Sequence, residues 1–127
     1  MNLLEEFAFH LEFHGLGTVA TGTTDGNIFW GRMPDKPDDC IGVFSSDSGT
    51  PGPDHPARIQ VITRSRVTRS AYETSQAIVD EIDGETGYIH GDGVYVRIKA
   101  MNASQGVGTD TKQREMYTSN FYVYYCG

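Results

Sequence analysis

The segment Val94–Ala100, with the sequence VYVRIKA, alternates between two kinds of side chain. Its even-numbered residues are apolar, whereas Tyr95, Arg97 and Lys99 carry aromatic or charged groups. Successive side chains of a β-strand point to opposite faces of the sheet, so this alternation predicts a strand with one apolar face. The segment therefore predicts a sheet that turns one face to the core and the other to solvent.

Similar patterns predict further strands on both sides of this segment. The last one, Arg114–Tyr125, places Phe121 and Val123 on one face and Tyr122 and Tyr124 on the other. Turns rich in Gly, Pro and Asp separate the strands, because these residues adopt the backbone angles that turns need. The other predicted strands are Ile28–Met33, Cys40–Phe44, Ala57–Thr63 and Tyr88–His90.

Two segments have the 3.6-residue apolar spacing of amphipathic helices. The first runs from Leu3 to about His14, and the second ends at Asp83-Gly84. The second helix could start at a capping box over Ser70–Glu73 or at Thr68. Its predicted inner face consists of Ala71, Ser75, Ile78, Val79 and Ile82.

The 127 residues are enough for a single domain. Two helices are too few to cover both faces of the sheet, so we expect both on one face. The predicted fold class is α+β, in the order α-β-β-β-α-β-β, with a mostly antiparallel sheet of four to five strands. Two long segments are predicted to be mobile loops: one near residues 45–56 with Pro, Gly, Ser and Thr, and one near residues 102–112 with Gly, Ser, Thr and Asp.

Composition and charge exclude several classes of protein. The formal net charge is −7, which does not suit nucleic-acid binding by counterion release. No run of 18 apolar residues is present, so no membrane-spanning helix is expected. The acidic beginning of the chain favours synthesis in the cytoplasm. Cys40 and Cys126 form no zinc pattern and are expected to be free thiols.

No motif in the sequence predicts an enzyme or a cofactor. His10 and His14 have the four-residue helical spacing that can chelate zinc. No third His or Cys lies near them in the sequence, and the intervening glutamate is wrongly placed to act as a general base. We therefore expect a solvated helix flank and no metal site. Phe9 and Phe13 lie off the apolar stripe of the same helix and predict either a pair under a loop or a subunit contact.

The order of elements and four local patterns resemble the tail terminator proteins of long-tailed bacteriophages, which are often labelled minor capsid proteins. The patterns are the opening helix ending in Gly15–Thr18, the strand–turn–strand segment Ile28–Ile41, and Ile59–Arg64 followed by a helix. The fourth is a Gly-x-Asp loop at Gly106–Asp110 that leads to the strand Thr118–Val123. The chain departs from the family pattern at Ser65–Ser70, where a short link that contains glycine is usual.

The resemblance implies a virion structural protein that forms a homohexameric ring on the head-proximal end of the tail tube. Such a ring stops tube polymerisation, joins the tail to the head connector, and lets genome DNA pass through its lumen without specific binding. A ring needs two different patches on each subunit. Phe9 and Phe13 are candidates for one patch, and Tyr122 and Tyr124 for the other. The last strand could also pair edge to edge with a neighbouring subunit.

The two predicted loops are candidates for docking onto the tube or the connector. Their candidate docking residues are Asp47, Asp54, His55, Val107, Thr109 and Asp110. One alternative function is a head-completion or neck protein of the same ring plan. Others are a small metal-dependent hydrolase that uses His10, His14 or His90, and a monomeric ligand-binding domain.

Overall fold

The computed structural model describes residues 3–21, 26–45, 56–88, 95–101 and 103–125. Within these ranges the chain forms two helices and seven strands, as the predicted α+β class requires. The elements are α1 (Leu3–Phe13), β1 (Ile28–Trp30), β2 (Cys40–Ser45), β3 (Ala57–Ser65), α2 (Thr68–Ile82), β4 (Thr86–Tyr88), β5 (Tyr95–Ala100), β6 (Gln105–Thr109) and β7 (Glu115–Tyr125).

The strands form one sheet in the order β1-β2-β3-β7-β5-β4, and β6 also pairs with β7. Strand β1 runs parallel to β2, and every other pairing is antiparallel. Strand β3 occupies one edge of β7 along most of its length. Strands β5 and β6 therefore lie end to end along the opposite edge, β5 beside the second half of β7 and β6 beside the first.

Both helices pack against the same face of this sheet and share one hydrophobic core. The predicted inner face of α2 is confirmed, because all five of its residues are buried. Helix α1 buries Phe7, Ala8 and Leu11, and the ring of Phe7 lies 5.8 Å from that of Phe121 on β7. Burying these rings removes apolar surface from water, which is the main force that holds the layers together.

The sheet has seven strands instead of the four to five predicted, and β6 is the strand that corresponds to no predicted strand segment. Strand β6 lies within 102–112, which was predicted to be a loop. Taken alone, its glycines indicate a turn, but backbone pairing with β7 makes the segment a β-strand. The last strand was a candidate for edge-to-edge pairing with a neighbouring subunit, but β7 lies inside the sheet between β3 and the β5–β6 pair.

Helix α2 begins at Thr68, the second of the two starts that the sequence left open, and not at the capping box over Ser70–Glu73. Its N-cap is Val67, whose side chain makes no capping hydrogen bond. The Ser65 hydroxyl accepts a hydrogen bond from the Val67 backbone N–H instead. The helix ends where predicted, and Gly84 follows with a φ of 79°, an angle that glycine adopts without strain. Neither helix in the described ranges is long and apolar enough to cross a membrane.

Candidate interaction surfaces and the histidine cluster

The two phenylalanines of α1 that lie off its apolar stripe occupy different environments. Phe13 is 64% exposed, whereas Phe9 is half-buried and packs against the core. The Phe13 ring stacks on His10, with ring centroids 6.2 Å apart. Phe13 is therefore the more accessible of the two candidate contact residues at this end of the helix.

His10 is buried, so the expected solvated flank is wrong for this residue. Its Nε2 lies 2.9 Å from Oε1 of Glu85, and Nε2 of His14 lies 3.0 Å from the same oxygen. The two Nε2 atoms are 3.2 Å apart. Nδ1 of His14 also lies 3.1 Å from Oε1 of Glu81. The fold thus joins the end of α1 to the turn after α2 through a compact group of two imidazoles and a carboxylate.

The face of the sheet that points away from the helices carries aromatic and basic side chains on its three central strands. Tyr122 and Tyr124 of β7 are half-buried there, with ring centroids 6.4 Å apart. The Arg58 guanidinium lies 5.7 Å from the Tyr122 ring, and that of Arg97 lies 4.5 Å from the Tyr124 ring. These cation–π contacts hold the charges over the rings. Lys99 of β5, directly opposite Tyr122 in the ladder, adds a third exposed cation.

The outer side of α2 carries the opposite charge. Its exposed carboxylates are Glu73, Asp80 and Glu81, and exposed Asp83 follows directly after the helix. Because α2 covers the core face of the sheet, this acidic side and the basic sheet face point in opposite directions. The chain therefore presents a basic surface on one side and an acidic surface on the other.

Two arginines anchor the connection between β1 and β2, which lies over one end of the open sheet face. The Arg64 guanidinium donates to the backbone carbonyls of Pro34 and Pro37, both at 2.7 Å. Arg114 donates to the Asp35 carbonyl, and both arginine side chains are about 95% buried. A buried guanidinium needs many acceptors, and carbonyls at the end of a turn supply them.

Asp110, which the sequence suggested as a docking residue, is instead held by its own turn. Its Oδ1 accepts hydrogen bonds from the backbone N–H groups of Lys112 and Arg114, at 2.9 and 3.0 Å. Its Oδ2 accepts from the Arg114 guanidinium at 2.7 Å. The hydrogen bond from the Arg114 side chain is the main reason that the pKa of Asp110 falls to about 2. Asp110 therefore carries a structural interaction that limits its freedom to dock.

Strand β6 presents the two other candidate docking residues of this segment. Val107 is 53% exposed and Thr109 is also exposed. Within the described residues, β6 pairs with β7 on one side only, so its other edge keeps free backbone donors and acceptors. This arrangement makes β6 an accessible edge strand with an apolar side chain at its centre.

The remaining sequence predictions concern residues in the core or outside the described ranges. Asp47, Asp54, His55, His90 and Cys126 lie outside the described residues. Cys40 is a free, buried cysteine, and burial raises the pKa of its thiol.

Cys40 also lines a cleft of about 180 Å³, together with Leu16, Asn27 and Thr63. This volume is small compared with ordinary ligand pockets of roughly 300–1,000 Å³. Neither histidine of the cluster on α1 lines the cleft.

Sequence reasoning missed Glu85, Arg64 and Arg114 as residues that organise these surfaces. Glu85 is 71 residues from His14, and only the packing of α1 beside α2 brings the two together. Arg64 directly follows the predicted strand Ala57–Thr63, but its carbonyl partners on Pro34 and Pro37 lie 30 and 27 residues earlier in the chain. Arg114 lies four residues after Asp110, the aspartate of the Gly-x-Asp motif, but its second partner Asp35 is 79 residues away in the sequence.

The comparisons with known proteins agree with the resemblance. No curated protein matches the chain. The family model of the bacteriophage tail terminator protein matches residues 10–125, which include every described strand, all of α2 and the last four residues of α1. This family has a structural role in the phage tail, and its members are found in the virion. The chain therefore belongs to the bacteriophage tail terminator protein family.

Proposed function

We propose that this protein terminates the tail tube as a homohexameric ring at the head-proximal end of the tail. In this position it stops polymerisation of the tail tube protein and provides the joint to the head connector. The observation that carries the proposal is the family match over residues 10–125. The protein acts through contacts, without a catalytic step.

The charge distribution on the subunit supports a closed ring. Each interface of a cyclic ring joins one surface of a subunit to a different surface of the next. The open sheet face offers Arg58, Arg97 and Lys99, and the outer side of α2 offers Glu73 and Asp80. We propose that these opposite charges meet between subunits and orient their association.

Aromatic side chains supply the apolar part of the proposed interfaces. Tyr122 and Tyr124 lie among the cations of the sheet face and offer contact area with a polar tip. Phe13, with the half-buried Phe9 beside it, offers an exposed ring at the end of α1. In this proposal the phenylalanines and the tyrosines belong to different surfaces of one subunit.

Two further contacts belong to the proposal. Val107 and Thr109 on the β6 edge contact the tube or the connector, as do Asp47, Asp54 and His55 from the preceding predicted loop. The net charge of −7 on each copy favours a lumen that repels phosphate, so that genome DNA passes without specific binding. Assembly takes place in the host cytoplasm before the particle is released.

The test is electron microscopy of particles from a lysate in which the gene is disrupted, with the intact gene supplied in trans as the control. Overlong tails without heads are expected. Tails of normal length beside filled heads that fail to join would instead assign the protein to the neck. Infectious particles of normal appearance would contradict any role in tail completion.

A further inference from the structure

We propose that His10, His14 and Glu85 bind a divalent transition metal ion of the zinc class. The three side chains come from the end of α1 and from the turn after α2, so the ion would tie these two elements together. The proposal is independent of the ring, because it concerns one subunit alone. It also revises the expectation from the sequence that no metal site is present.

The geometry of the three ligand atoms carries the proposal. Nε2 of His10, Nε2 of His14 and Oε1 of Glu85 form a triangle with sides of 2.9, 3.0 and 3.2 Å. Zinc binds imidazole nitrogen and carboxylate oxygen at about 2.0–2.1 Å, and tetrahedral angles then separate the ligand atoms by about 3.3 Å. An ion placed just outside the plane of the triangle can therefore reach all three atoms with small adjustments.

The second observation is a buried carboxylate oxygen of the cluster that has no hydrogen-bond partner. Oε2 of Glu85 is buried and has no hydrogen-bond partner. A buried carboxylate oxygen without a partner costs free energy, and a cation bound to the carboxylate would reduce that cost. His10 is 1% exposed, so its Nε2 has little access to bulk water. Its ring is also fixed by stacking against Phe13.

The donor set selects the class of metal. Two imidazoles and one carboxylate suit zinc and its neighbours, whereas magnesium and calcium prefer oxygen ligands alone. Nδ1 of His14 lies 3.1 Å from the Glu81 carboxylate, an arrangement that orients a metal-binding imidazole through its second nitrogen. Glu81 is therefore a positioning residue in this proposal, and the fourth coordination position is left for water.

The same contacts suit a rival arrangement without metal. In that arrangement His14 is an imidazolium that donates one hydrogen bond to Glu81 and one to Glu85. Both arrangements lose stability when Glu85 is changed, so stability alone does not separate them. Only direct measurement of metal binding does so.

The experiment uses the purified full chain after treatment with chelator. Zn²⁺ binding is followed by isothermal titration calorimetry, and Co²⁺ binding by the visible absorption of tetrahedral cobalt. We expect one ion per chain, and at least tenfold weaker binding in both His14→Gln and Glu85→Gln. These two variants are preferred because His14 and Glu85 are partly exposed, whereas His10 lies in the core.

Glu73→Gln is the matched control, because it removes one exposed carboxylate from α2 away from the cluster. It should bind Zn²⁺ as the unchanged protein does. Absence of stoichiometric Zn²⁺ and Co²⁺ binding would overturn the proposal in favour of the imidazolium arrangement. Unchanged binding in His14→Gln and Glu85→Gln would also overturn it, as would Mg²⁺ competing with Zn²⁺ at equal concentration.

Discussion

The Arg114 guanidinium lies between Asp110, four residues before it, and Asp35, on the connection from β1 to β2. Its Nη2 is 2.7 Å from Oδ2 of Asp110 and 3.3 Å from Oδ1 of Asp35. Arg114 therefore joins the turn before β7 to a segment nearly eighty residues earlier in the chain. The Gly-x-Asp motif of the sequence thus has a structural role, since its aspartate orients the arginine that makes this connection.

Changing Asp110→Asn should lower stability in a pH-dependent way. The pKa of Asp110 is about 2 in the folded chain, below its ordinary value of 3.8. Its ionised form therefore stabilises the fold fully above about pH 4, and this contribution disappears as the pH falls towards 2. Urea unfolding at pH 7 and at pH 2.5 measures the effect. The difference between Asp110→Asn and the unchanged protein should shrink at the lower pH, and a constant difference would contradict this account.

Gly108 and Gly106 on β6 should respond differently to alanine. Gly108 has a φ of +101°, which L residues rarely adopt, so Gly108→Ala should destabilise the protein by about 1–3 kcal/mol. A Cβ at Gly106 would meet the Tyr117 ring at 3.4 Å, an ordinary contact. Gly106→Ala is therefore the matched control with a smaller effect. Thermal unfolding of both variants measures the difference, and equal losses would contradict a backbone cause.

A buried and an exposed phenylalanine should respond differently to replacement by alanine. Phe121 is completely buried against Phe7, so Phe121→Ala should cost about 3–5 kcal/mol of unfolding free energy. Phe13 is 64% exposed, so Phe13→Ala should cost less than about 1 kcal/mol. Urea titration checks both values. In the proposed ring Phe13→Ala should nevertheless impair tail termination, and a stable variant with full activity would remove Phe13 from the interface.

Reversal of one charge on the open sheet face should disrupt assembly without unfolding the subunit. Arg97 is exposed and lies over Tyr124, so Arg97→Glu leaves the core intact. It should give overlong tails when it replaces the natural protein. Lys36→Glu, at an exposed position in the connection between β1 and β2, makes the same change in net charge and is the control.

A compensating variant sharpens this test of the proposed subunit contact. Glu73→Lys with Asp80→Lys should also impair termination, because it reverses the acidic side of α2. Adding Arg58→Glu and Arg97→Glu to that variant makes the two surfaces complementary again, and tail length should recover. Failure of this recovery in a correctly folded subunit would contradict the pairing of helix side and sheet face.

The Cys40 thiol should resist modification in the native protein. It is buried, and its raised pKa reduces the reactive thiolate form. In a Cys126→Ser background, a thiol reagent at pH 8 should react slowly with the native chain and rapidly in urea. Equal rates in the two conditions would show that β2 opens readily at this position.

Local patterns predicted the elements whose own side chains decide their structure. Helix α2 follows a 3.6-residue period, and each apolar residue of its stripe is buried as that period requires. The alternation of Val96 and Ile98 with Arg97 likewise assigned the two faces of β5 correctly. In these segments, burial of one face is enough to select both the element and its orientation.

Long-range contacts account for what the sequence could not predict. Strand β6 has the composition of a loop, and its pairing with Tyr117 and Thr118 of β7 depends on how the whole sheet is arranged. His10 lies three residues after Phe7 and so shares its side of the helix, but its polarity suggested solvent. Its partner Glu85 lies far along the chain, beyond the reach of any local pattern.

The central position of β7 determines when the basic surface used in the proposed ring can form. Within the described part of the chain, β7 alone connects β3 to β5 and β6. A ribosome-bound chain that still lacks β7 cannot bring Arg58 of β3 and Arg97 of β5 onto one surface. Closure of the sheet therefore depends on the last of the described strands, and such non-local pairing slows folding. In the proposed ring, a chain that lacks β7 would therefore lack the basic surface that contacts the next subunit.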